Sequence, residues 1–156
     1  MFDERDERFL RQAFAAARRS GEKGNYPFGA VLVGASGEVL LEAENTVVSD
    51  ADCAGHAEVN LMREAVRRFP PEVLSAAVVY ASAEPCAMCS GALFWGGVRR
   101  LVYGLSKARA SEVEREKGAG PQLLLECRAV LSAGERAIEV EGPALEEEAE
   151  AVLRGE

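Results

Sequence analysis

At 156 residues the chain has the length of one domain, numbered here 1–156, enough to bury roughly 70% of its unfolded surface. Its 48% apolar and 28% charged residues describe an ordinary globular protein, and no apolar run approaches the ~20 residues that a membrane span needs. The net charge of −8 weighs against a partner gripped by its phosphates, because such proteins usually present a basic face.

The chain opens with a charged stretch, Met1 to Arg11, that lacks the apolar core of a signal peptide. Phe9, Ala13, Phe14 and Ala17 recur at helical spacing, so the pattern predicts an amphipathic helix over Asp6 to Ser20, ended by Gly21 and Gly24. Ala30 to Val33 and Val39 to Leu41 flank a turn at Gly34 to Gly37 and read as a hairpin. Thr46 to Gly55 is a loop. The next helix begins at His56, with Val59, Met62, Val66 and Phe69 as its expected buried stripe, and Pro70-Pro71 stops it.

Ala76 to Tyr80 is apolar throughout, as in a strand covered on both faces. A helix over Cys86 to Gly96-Gly97 and a strand at Leu101 to Tyr103 complete a crossover with parallel strands, expected to be right-handed. Beyond Gly104 the pattern is weaker. Lys107 to Gly120 is a polar loop or short helix, and Leu124, Cys127, Val130 and Leu131 suggest a helix closed by Gly134. Ala137 to Val140 fits a last strand, and Leu145, Ala149, Val152 and Leu153 a final helix. The architecture expected is α/β, a three-layer α/β/α sandwich around a five-stranded mixed sheet.

The chemistry concentrates at Pro85-Cys86-Ala87-Met88-Cys89. A Cys-x-x-Cys pair opening a helix puts two sulfurs on one face of its first turn, and Pro85 suits such a start. The positive end of the helix dipole favours thiolates there. Two thiolates leave a tetrahedral zinc site unfilled. Thirty residues upstream stands His56, the chain's one histidine, in His56-Ala57-Glu58. His56, Cys86 and Cys89 make a three-ligand set with an open fourth position, which is the pattern of a catalytic zinc. His56 and Glu58, two residues apart, diverge by about 200° on an ideal helix. They can serve one metal only if it lies over the helix end, with His56 in the first turn.

His-x-Glu followed by Pro-Cys-x-x-Cys is the signature of zinc deaminases. The sequence resembles the cytidine deaminase-like superfamily over about Pro27 to Tyr103, and is most similar to the branch of guanine deaminases and tRNA-specific adenosine deaminases. The resemblance implies a cytidine deaminase-like fold and one Zn2+ per chain, bound through His56, Cys86 and Cys89. It implies hydrolytic deamination with Glu58 as the proton shuttle. A zinc-bound water there has its pKa lowered toward ~7. It also implies that Asn45, eleven residues before His56, hydrogen-bonds the base, that the Ala57 N–H contacts a base carbonyl, and that Phe28 lines the base pocket. Trp95, six residues after Cys89, stands where guanine deaminases carry a Trp and bacterial tRNA deaminases a His. Relatives assemble as homodimers, so a homodimer is expected.

There are departures from that pattern. The usual Asp-Pro-Thr is replaced by Asp52-Cys53-Ala54, and the chain stops at Arg154-Gly155-Glu156 without an aromatic tail to act as a lid. An acidic residue after the fourth strand could be Glu112, Glu114 or Glu116. Simpler readings stand beside these. Phe28 can be core, Asn45 a turn residue and Trp95 packing. The cysteine pair can be redox-active, or Cys53 or Cys127 can close a structural zinc site. The leading expectation is a zinc-dependent aminohydrolase acting on a purine base or nucleoside, guanine first. A tRNA adenosine deaminase is the alternative enzyme, and a zinc-stabilised binding protein the alternative of another class. Four cysteines without a secretory signal favour reduced thiols and the cytoplasm, with no nucleic acid or membrane partner.

Overall fold

The computed structural model describes residues 1–156. The chain runs α1 (Glu4–Glu22), β1 (Gly29–Val33), β2 (Val39–Glu44), α2 (Ala57–Arg68), α3 (Pro71–Leu74), β3 (Val78–Ala83), α4 (Ala87–Gly96), β4 (Arg100–Leu105), α5 (Lys107–Glu116), α6 (Cys127–Leu131), β5 (Glu139–Glu141) and α7 (Glu146–Arg154). Five strands form one mixed sheet in the order β2-β1-β3-β4-β5. β1 pairs antiparallel with β2 and β3, whereas β3–β4 and β4–β5 are parallel.

Alternation along the strands divides the core in two. Val31, Val33, Val78, Tyr80 and Val102 pack against α1, α5 and α7, with Phe9, Phe14, Val113 and Val152. Ala30, Leu32, Val79, Ala81, Leu101 and Tyr103 pack against α2, α4 and α6, with Leu61, Met62, Leu93 and Leu131. A strand whose two faces both meet helices reads as a near-continuous apolar run. β3 and β4 are buried along their whole lengths. The three-layer sandwich is the expected architecture.

α1 is longer than its apolar stripe, because a capping box between Asp3 and Asp6 starts it early. β3 begins two residues later than expected and runs on through Ser82 and Ala83, where pairing with Leu105 continues the ladder. Ser106 caps the polar stretch after β4 into a regular helix, α5, by accepting the Arg109 N–H.

Other expectations are corrected. The buried stripe of α2 is Ala57, Glu58, Leu61, Met62 and Ala65, while Val66 is exposed and Val59 half-buried. The small residues face the sheet because α2 lies close to β1, β2 and α4. Pro71 does not only end α2; it occupies the first turn of α3, where its missing N–H is no loss. Leu124 lies outside α6 and is 53% exposed, so the helix expected from it is only Cys127–Leu131. No helix is long and apolar enough to cross a membrane.

Candidate active site

α2 and α4 lie side by side on one face of the sheet, and their N-terminal ends supply the reactive side chains. His56 is the N-cap of α2 and Cys86 the N-cap of α4, each with extended backbone. Caps are usually filled by Ser, Thr, Asp or Asn, whose side chains bond first-turn N–H groups. Neither His56 nor Cys86 does this. Both side chains turn to each other. The extended backbone at the cap also removes the 200° divergence: His56 sits outside the helical repeat that carries Glu58.

The His56 Nδ1 is 3.6 Å from the Cys86 Sγ and 3.4 Å from the Cys89 Sγ, and the three donor atoms all lie within 4.8 Å of one another. Zinc bonded at ~2.3 Å to sulfur and ~2.0–2.1 Å to nitrogen sets neighbouring S and N ligands ~3.5 Å apart on a tetrahedron. The observed spacing fits. Neither Cys53, which is exposed, nor Cys127, which is buried, joins the cluster.

The Cys86 thiol is lowered to about 3 by its hydrogen bond with Cys89, helped by His56. Cys89 is pushed up by the same bond and by burial. His56 is raised by its bond to Cys86, against the opposing effect of burial. Glu58, 5% exposed, is raised by burial.

A cavity of about 510 Å³ opens over this cluster. His56, Cys86 and Glu58 line its floor, Phe28, Asn45 and Val47 one side, and Lys107, Ala110, Glu114 and Ala119 to Leu123 another. Asn45 is 3% exposed, and its Oδ1 accepts the Val47 N–H at 3.0 Å, which leaves its Nδ2 for the cavity. Ala57 is fully buried at the first helical position, where an N–H has no intrahelical acceptor. Phe28 lines the cavity and also packs against both cores, so the two readings of it hold together.

Trp95 is not among the residues that line this cavity. It is 84% exposed near the far end of α4, edge-on to Phe94. Of the three acids after β4, only Glu114 lines the cavity, and its Oε1 is buried without a partner. Glu112 pairs with Arg109 and Glu116 with Arg154. Lys107, Ala110 and Glu114 share one helix face at i, i+3, i+7 spacing, a signal hidden by the uncertain helix assignment there. Glu84 was also missed. Its carboxylate accepts the Lys107 N–H at 2.6 Å and the Cys127 N–H at 2.9 Å, holding α5 and α6 beside the Cys86 turn.

Residues 3–105 match the model of the cytidine and deoxycytidylate deaminase zinc-binding region. The chain belongs to this deaminase family. The deaminase is 38% identical over 149 residues to a probable cytosine deaminase of Schizosaccharomyces pombe, covering 94% of this chain and 88% of that one. It is 37% identical over 97 residues to a tRNA-specific adenosine deaminase of Aquifex aeolicus, covering 62% of this chain and 64% of the relative. Among solved structures it resembles the guanine deaminase from Nitrosomonas europaea, with a TM-score of 0.72 at 29% identity, covering 96% of this chain and 81% of that one. It is therefore a hydrolytic deaminase, in which the His56, Cys86 and Cys89 cluster lies within the matched zinc-binding region.

Proposed function

We propose that this deaminase is zinc-dependent and acts on a free nucleobase, releasing ammonia. The observation that carries the reading is a buried carboxyl, Glu58, opening into the same cavity as a three-ligand cluster with tetrahedral spacing. A structural zinc site would leave Glu58 without a role. Zinc held by His56, Cys86 and Cys89 supplies Lewis acidity, so that hydroxide is available at neutral pH.

The residues of the chain do the rest. Phe28 packs against the ring, and the Asn45 Nδ2 and the Ala57 N–H donate to its acceptor atoms. Glu58 removes a proton from the attacking water and gives it to the ring nitrogen next to the carbon that bears the amine. It then takes the hydroxyl proton of the tetrahedral adduct and passes it to the amine. The C–N bond breaks, ammonia leaves and the ring keeps a carbonyl. Glu58 suits the task because burial lifts its pKa toward the value of a group that both accepts and donates.

Cytosine is the first substrate in this reading. Similarity to the cytosine deaminase extends along 94% of the chain, and Trp95, the feature favouring guanine, lies outside the cavity. The fold-level likeness to a guanine deaminase over 96% of the chain supports guanine as the second. A folded tRNA is disfavoured, because Lys107 is the sole Lys or Arg among the lining residues and the net charge is −8. The test is ammonia release by zinc-loaded protein from cytosine, guanine and an anticodon stem-loop. Turnover of cytosine or guanine with the stem-loop inert is expected. Inosine formation in the stem-loop alone would replace this reading by that of a tRNA enzyme.

A further inference from the structure

We propose that Asn60 is a positioning residue whose side-chain amide fixes Asn45 against the helix end that carries His56. The inference rests on the deaminase reading, in which Asn45 contacts the base. Asn60 lies one turn into α2, with its own N–H bonded to the His56 carbonyl at 2.9 Å. Its Nδ2 donates to the Glu44 carbonyl at 2.9 Å, the Thr46 Oγ1 at 2.9 Å and the Gly55 carbonyl at 3.3 Å. Two of these acceptors flank Asn45 in sequence, and the third immediately precedes His56. One amide therefore joins the two ends of the loop over residues 46–55, with the base contact at one end and the cluster at the other.

The same junction is tightened from other directions. The Thr46 N–H bonds the Gly55 carbonyl at 2.8 Å. A Cβ on Gly55 would come within 2.9 Å of the Thr46 Oγ1 and 3.0 Å of the Asp52 carbonyl, so a larger residue there would push the Thr46 side chain aside. Asn45 has little freedom of its own, since its carbonyl accepts from the Ser20 Oγ at 2.8 Å and its Oδ1 from Val47. What sets the distance from its Nδ2 to the cluster is the placing of segment 44–46. Asn60 ties that segment to the helix end, alongside the Asn45 N–H bond to the Phe28 carbonyl at 3.0 Å and the pairing of Glu44 with Gly29. Its remaining atom, Oδ1, accepts from the exposed Arg63 and is satisfied without touching the cavity. Asn60 itself does not line the cavity.

The experiment is a double-variant cycle of Asn60→Asp and Asn45→Ala in zinc-loaded protein. Asn60→Asp keeps the shape but turns a donor into an acceptor facing the Glu44 and Gly55 carbonyls, which cannot donate. The readouts are KM and kcat for cytosine and for guanine, the dissociation constants of the products uracil and xanthine by calorimetry, and zinc content. Displaced supporting groups around a site typically lower function about 10–100-fold. Asn60→Asp is expected to raise KM and the product dissociation constant by about that factor, with zinc retained and a smaller change in kcat. In the Asn45→Ala background it is expected to add almost nothing, because the group it places is gone. If Asn60→Asp fails to fold, Thr46→Val, which removes one acceptor of the same amide, enters the same cycle. Additive effects, or an unchanged KM and product affinity, would overturn the proposal while leaving the deaminase reading intact. Failure of the wild-type protein to bind or convert any of these bases would overturn both.

Discussion

Replacing Asp6 by Ala is expected to cost the protein about 3–5 kcal/mol of stability without touching the site. Asp6 and Arg100 are 2% and 8% exposed, and the Arg100 Nη1 and Nη2 lie 2.8 Å and 3.0 Å from the two Asp6 carboxylate oxygens. The Tyr80 hydroxyl donates to the same carboxylate at 2.8 Å. Removing Asp6 leaves a buried guanidinium whose one remaining carboxylate, the exposed Glu139, stands 3.9 Å from its Nε, and a phenol without its acceptor, which is the expensive way to break a buried pair. For a protein of this size, ~1 kcal/mol corresponds to ~2–4 °C, so Tm should fall by about 6–20 °C. The pH dependence has a definite sign. Burial pushes the Asp6 carboxyl up, but bonds from Arg100 and Tyr80 and the Arg100 charge outweigh it, and the folded pKa lies below its ordinary value. The contribution is therefore fully present above ~pH 4 and is lost as pH falls through the folded pKa. Thermal unfolding of wild type and Asp6→Ala at pH 7 and across pH 5 to 3 measures it. The double variant Asp6→Leu/Arg100→Met should recover much of the loss, since an apolar pair needs no desolvation of charge. A Tm change under ~3 °C at pH 7, or a gap that widens below pH 4, would refute the reasoning.

Glu58→Gln should keep fold and zinc but lower kcat by ~10²–10⁴-fold, because an amide cannot accept the proton; a steady-state assay showing less than a tenfold loss would move Glu58 out of the reaction. Cys86→Ser/Cys89→Ser should abolish zinc retention, measured by elemental analysis after dialysis; full retention would dissolve the three-ligand set. A homodimer should form over the outward face of α4, where Met88 is 39% and Trp95 84% exposed and a Cβ added at Gly91 would meet nothing within 4 Å. Trp95→Glu should weaken it in sedimentation, and an active wild-type monomer would remove the idea.

The sandwich was legible because the middles of its central strands, Val78 to Ala81 in β3 and Leu101 to Tyr103 in β4, carry no charged residue where both faces meet helices. The stripe of α2 was not, because apolar periodicity rewards Val59 and Val66 over alanine, while close packing on the sheet rewards Ala57, Leu61 and Ala65. α6 was overextended for a related reason. Leu123, Leu124 and Leu125 are between 50% and 56% exposed, and no sequence pattern distinguishes an exposed leucine run from a helix stripe.

The cluster was legible for a different reason: metal ligation demands particular side chains at helix starts, and few other roles need them. The substrate wall is made of ordinary residues. The family model ends at Leu105, and the wall on the α5 side begins at Lys107 and runs to Leu123. Within the matched part lie His56, Glu58, Cys86 and Cys89. Outside it lie Lys107, the sole Lys or Arg among the lining residues, and the unpartnered oxygen of Glu114. Glu84 holds the two halves together, with one carboxylate oxygen on the first N–H of α5 and the other on that of α6. The cavity is thus lined from two stretches of the chain, one inside the matched region, with Phe28, Asn45, His56, Glu58 and Cys86, and one beyond it over residues 107–123.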